Sequence, residues 1–191
     1  MTYHFLRGTP PRAGPLAQWL RANGVDAAQL DWFRSHGDPG LIAGVNHYIT
    51  SERYIDENLA AYPAHTHGGN GRERYADTEA AAVEIPLCGW SGILREVHEH
   101  APGPLAITEV HLGRPSEAQI RWLMSAYAAA EHVRAEGLDM RAVTAWSLLG
   151  NYNWPRLVTR DEGVYEAGVF DVRDGQRRPT PLADTVRALA R

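Results

Sequence analysis

The sequence predicts an α/β protein with a barrel-like site, on three observations. Residues 104–146 read strand, helix, strand, and two parallel strands need such a crossover between them. Three apolar runs end in residues able to do chemistry: Asn46-His47-Tyr48, Glu109 and Trp146. A β/α-barrel gathers its site at the C-terminal ends of its strands. No G-x-G-x-x-G or P-loop pattern speaks for a nucleotide fold.

The elements follow in order. Pro15 to Ala22 forms a helix with Leu16, Trp19 and Leu20 on one face, stopped by Asn23-Gly24. Asp26 is a good N-cap for a second helix carrying Leu30 and Phe33 up to Gly37. Leu41 to Tyr48 reads as a buried strand whose polar end faces a site. Residues 51–82 are the least regular, and His65-Thr66-His67-Gly68-Gly69-Asn70-Gly71 reads as a loop. So long a loop is functional or hides short elements. Ser91 to His100 is a helix, and Pro104 to Glu109 a strand ending in a carboxylate. Ser116 to Gln119 has the capping-box pattern, with Ser116 as N-cap of a helix that Gly137 ends. Arg141 to Trp146 is the next strand, Leu149 to Gly163 a loop, Gly168 to Asp171 extended, and Thr180 to Ala190 a closing helix.

Composition narrows the classes. The 191 residues are 44% apolar and 22% charged, an ordinary globular balance and the length of one domain, 1–191. No run of 18 apolar residues suits a membrane helix. The start Met1 to Arg7 lacks a signal peptide's apolar core, so a cytoplasmic location is expected. A net charge of −4 leaves no electrostatic footprint for nucleic acid. The single cysteine, Cys88, excludes an internal disulfide framework and a Cys-rich zinc site, and reads as a small core residue. Six Trp, eight Tyr and nine His suit surfaces that stack on sugars.

Four motifs in consistent order resemble glycoside hydrolase family 1, the retaining β-glucosidases. Ile107-Thr108-Glu109-Val110-His111 resembles the family's Ile-Thr-Glu-Asn-Gly nucleophile strand. Trp146-Ser147-Leu148-Leu149-Gly150-Asn151-Tyr152-Asn153-Trp154 resembles its Trp-Ser-Leu-Leu-Asp-Asn-Phe-Glu-Trp motif on strand 8. Gly44-Val45-Asn46-His47-Tyr48 resembles its Gly-Leu-Asn-Tyr-Tyr motif on strand 6. Glu166 to Asp171, with Arg178-Pro179, resembles the segment after strand 8. The likeness covers about residues 41–190 and is nearest in pattern to a divergent family-1-like domain fused to dTDP-4-dehydrorhamnose reductase in some bacterial proteins. It implies the C-terminal portion, about strands 6 to 8, of a TIM (β/α)8 barrel. Such barrels take ~250 residues, with ~200 as the floor.

The resemblance also implies roles. Glu109 would be the nucleophile, oriented by Tyr48 and Asn46, with Trp146, Asn153, Trp154, His47 and His111 lining a sugar subsite. No cofactor or metal is needed. The family's Asn-Glu-Pro motif, which carries the acid/base glutamate, is absent, and Glu79, Glu84 and Glu99 do not sit at convincing strand ends. The expected function is a truncated family-1-like hydrolase of O-glycosyl bonds, inactive alone. Its partners would be carbohydrate and either a missing N-terminal barrel half or a second copy covering the open strand edges. Two alternatives stay open. A non-catalytic carbohydrate-binding or structural module fits the missing acid and Asn153 in place of the family's glutamate. A metal-dependent hydrolase could use His65 and His67, since i and i+2 share a face on a strand, whereas His98 and His100 on a helix do not.

Overall fold

A computed structural model describes residues 2–113, 115–154 and 159–190. Three helices open the chain: α1 (Thr2–Leu6), α2 (Pro15–Ala22) and α3 (Ala27–His36). Asp26 caps α3 as expected, and Gln29 completes a capping box by accepting from the Asp26 backbone N–H. The sequence gives no sign of α1, because its five residues bury no side chain. Two long-range anchors hold it: Tyr3 donates to the Gly44 carbonyl at 2.6 Å, and Arg7 acts as a clasp. The buried Arg7 guanidinium donates to the carbonyls of Leu41, Ala101, Pro102 and Pro104. Its rigid fork of donors lets one side chain satisfy four acceptors at the start of the sheet.

The sheet that positions the site is parallel, in the order β1 (Ala43–Asn46), β5 (Leu105–Val110), β6 (Met140–Ala145). Between β1 and β5 come β2 (Arg53–Asp56), β3 (His67–Gly69), β4 (Arg74–Glu79) and the helix α4 (Gly89–His100). Thus 51–82 is no plain loop. It holds a three-stranded antiparallel sheet, β2-β4-β3, with Asp56 and His67 both opposite Ala76. Its strands are too short, and its glycines too many, for alternation to announce them.

One face of the parallel sheet is packed by helices. Val45, Ile107 and Val110 meet Trp90 and Leu94 of α4, Leu123, Ala126, Ala130 and Val133 of α5 (Ser116–Ala135), and Leu182 and Ala183 of α6 (Pro181–Leu189). Ser116 is the first residue of α5 and not its cap: Pro115 holds the N-cap position and no side chain caps the helix. Cys88 likewise departs from expectation, lying exposed just before α4. The opposite face is open along β6, where Ala142 and Thr144 are exposed. A groove of about 320 Å³ lies between α5, β6 and α6. The described strands therefore form a mixed α/β structure without a closed barrel.

The loop expected over 149–163 contains β7 (Asn151–Tyr152), which pairs with β8 (Tyr165–Glu166), while 155–158 lie outside the described residues. The chain then forms β9 (Phe170–Asp171) and β10 (Arg178–Pro179) before α6. Among the described residues no helix is long and apolar enough to cross a membrane.

Candidate active site

β1 and β5 bring Asn46, Tyr48 and Glu109 together. The strands run in register from Ala43 opposite Leu105 to Val45 opposite Ile107, then slip so that Asn46 faces Glu109. An extra residue of this kind re-aims the side chains after it. The Tyr48 hydroxyl donates to the Glu109 carboxylate, and the Thr108 hydroxyl donates to the Asn46 carboxamide. Gly44 makes room for this: a Cβ there would stand 2.9 Å from Thr108 Cγ2. Burial foremost, then the Glu109 carboxylate, pushes the Tyr48 phenol far above its ordinary value. Tyr48 is thus a neutral donor that fixes one carboxylate oxygen and leaves the other available.

His47 points elsewhere. Its ring is buried between Trp90, at 4.9 Å, and Trp122, at 6.1 Å. Its Nε2 lies 3.5 Å from Glu52. Burial lowers the His47 pKa and the Glu52 carboxylate opposes that shift. Glu52 itself accepts from the backbone N–H groups of Cys88 and Gly89 at 2.6 and 2.7 Å, at the start of α4. Asn46 and Tyr48 thus turn toward Thr108 and Glu109, whereas His47 turns toward α4 and α5.

A second cluster forms where β5 ends and β6 has just ended. Trp146 and Trp154 lie with ring centroids 4.5 Å apart, and His111 meets Trp146 edge-on at 4.6 Å. The buried His111 contacts the Trp146 carbonyl through Nδ1 at 3.2 Å and Glu166 through Nε2 at 3.0 Å. Glu166, legible in the sequence only as the start of the segment after strand 8, is a site neighbour that its two-residue strand does not announce.

Asn153 is committed to its own loop. Its side-chain oxygen accepts from the backbone of Glu162 and Val164, and its amide donates to Asp161 at 2.9 Å. Its φ of 60° is one that asparagine tolerates better than most residues. Among the described residues, no hydrogen bond or ion pair joins Glu109 to a second carboxylate. Glu79 ends β4 in the antiparallel sheet and Glu99 lies on α4. His67 sits on β3 with Nε2 against the Leu59 and Tyr62 carbonyls, while His65 lies in a separate helical turn. No group of three His, Cys, Asp or Glu among the described residues could hold a metal ion.

In fold, the chain is similar to solved β-glucosidases. Over 98% of its length the chain matches the virulence factor SghA, solved with its substrate analog salicin, at a TM-score of 0.61 and 18% identity, covering 42% of that chain. It matches the β-glucosidase from Thermotoga maritima in complex with deoxynojirimycin at a TM-score of 0.57 and 18% identity, over 97% of this chain and 43% of that one. A further structure, described as the family 1 b-glucosidase from Thermotoga maritima, matches at 17% identity with the same TM-score of 0.57. The chain spans less than half the length of these solved structures. At such identity the likeness is one of fold. No family model and no curated protein matches the sequence.

Proposed function

We propose that this chain is the Glu109-bearing portion of a retaining β-glycosidase site, resembling the family-1-like domain found fused to dTDP-4-dehydrorhamnose reductase. The observation that carries the reading is the Tyr48 hydroxyl bonded to Glu109 across β1 and β5, with an indole cluster at the same end of the sheet. In this chemistry a Glu109 oxygen attacks the anomeric carbon, the glycosidic C–O bond breaks, and the leaving oxygen needs a proton. Tyr48 orients the attacking carboxylate, Asn46 and Thr108 brace the strand end, and Trp146 and Trp154 offer flat walls to the sugar. His47 and Asn153 have no sugar-binding role in this reading, because His47 meets Glu52 beside α4 and Asn153 bonds to Asp161, Glu162 and Val164.

The proton donor is the missing part. Retaining enzymes hold a second carboxylic acid ~5–5.5 Å from the nucleophile, and its help is worth ~10²–10⁴ in rate. We assign that group to a further barrel portion, from another chain or segment, seated against the open edges of the sheet. The chain alone is therefore expected to leave 4-nitrophenyl glycosides and natural disaccharides unhydrolysed. Rapid hydrolysis of both, abolished in Glu109→Ala, would show that the acid lies within this chain. A non-catalytic carbohydrate-binding module is the second reading, favoured by Asn153 where the resembling motif carries glutamate and by a sequence without the Asn-Glu pair of the acid/base motif.

A further inference from the structure

His111 stands where the resembling nucleophile motif carries glycine, and its surroundings are built around it. Both ring nitrogens face acceptors: Nδ1 is 3.2 Å from the Trp146 carbonyl oxygen and Nε2 is 3.0 Å from Glu166 Oε2. The ring is therefore held at both ends, by backbone on one side and by a carboxylate on the other. The two side chains are only 5% and 11% exposed, so little water reaches these contacts. Gly113 clears the space: a Cβ there would stand 2.2 Å from Glu166 Oε1 and 2.9 Å from its Cδ. Glu166 is fixed in turn by β8, where it pairs with Asn151 of β7.

We propose that the hydrogen-bonded His111–Glu166 pair is a clamp that holds the Trp146–Trp154 wall in place, which makes Glu166 a positioning residue. The His111 ring meets Trp146 at 4.6 Å and Trp154 at 6.3 Å, nearly perpendicular to both, an edge-to-face arrangement that aromatic rings favour. The clamp ties the end of β5 to the segment after β6, so the wall and Glu109 share one frame. Its use in sugar binding rests on the reading of Glu109 and the indoles as a sugar site; its hold on the indoles does not.

The test uses protein labelled with ¹⁵N-tryptophan, the Trp146 and Trp154 indole signals being assigned by their loss in Trp146→Phe and Trp154→Phe. In Glu166→Leu both indole N–H signals are expected to move, and the affinity for methyl β-D-glucopyranoside to fall roughly tenfold, about 1.4 kcal/mol. In Glu166→Gln, whose side chain still meets His111, the indole signals are expected to keep their positions. Indole signals indifferent to Glu166→Leu would overturn the clamp, and so would signals that move as far in Glu166→Gln as in Glu166→Leu. If the indole response is seen but no glucoside binds, the clamp stands and the sugar reading fails.

Discussion

Two adjacent residues with opposite surroundings set opposite ends of the stability profile. Tyr48 has a raised pKa, so the folded state binds its proton more tightly than the unfolded chain does. Its contribution is complete below about pH 10, the ordinary tyrosine value, and is lost as the pH rises beyond it. His47 has a lowered pKa, so the unfolded chain takes up its proton first. Its contribution is present above about pH 6.5 and is lost as the pH falls. Urea unfolding across pH 5 to 11 is expected to show a shallower alkaline fall in Tyr48→Phe and a shallower acid fall in His47→Phe. Unchanged limbs would mean that neither environment is as buried as described. The resemblance put Asn46, His47 and Tyr48 at one site; His47 instead packs between Trp90 and Trp122, a tertiary contact that no local pattern announces. Asn153 could not be read, because its three hydrogen bonds close within a loop that carries no periodic signal.

At the scale of elements, α4 begins on a carboxylate from far away in the chain. Glu52 lies 36 residues before Cys88, yet it accepts the first free N–H groups of the helix. A carboxylate at a helix N-terminus satisfies orphan donors and meets the positive end of the dipole. Glu52→Ala is expected to cost about 1–2 kcal/mol, in the range of a lost cap, and Glu52→Gln less. Faster hydrogen exchange confined to the first turn of α4 would mark the cause; an effect spread over all helices would argue against it. No sequence pattern announces such a long-range cap. The strand–helix–strand unit over 104–146 was readable because α5 spans 20 residues with an apolar stripe. The strands of the 53–79 sheet were not, since the longest has six residues and its ends are exposed.

Among the described residues the site is carried by a three-stranded parallel sheet clad on one face. Parallel sheets are ordinarily covered on both faces, and unpaired edges invite pairing. Exposed Ala142 and Thr144, with the groove lined by Leu123, Tyr127, Met140, Val186 and Leu189, leave apolar surface where a further strand and helix would fit. Sedimentation is expected to show association at micromolar concentration, reversed by Ala142→Lys. A monomer throughout would favour the binding-module reading. Motifs at the strand ends made this architecture readable in outline. What covers the open face is not encoded in any local pattern of these residues.

The central claim is that Glu109 is poised as a nucleophile, and it can be tested without the missing acid. 2,4-Dinitrophenyl 2-deoxy-2-fluoro-β-D-glucopyranoside releases a phenolate that needs no protonation, and its fluorine slows breakdown of the glycosyl-enzyme. Mass spectrometry after incubation is expected to find one fluoroglucosyl group, on the peptide containing Glu109, and none in Glu109→Gln. An unlabelled chain, or a label that persists in Glu109→Gln, would contradict the account.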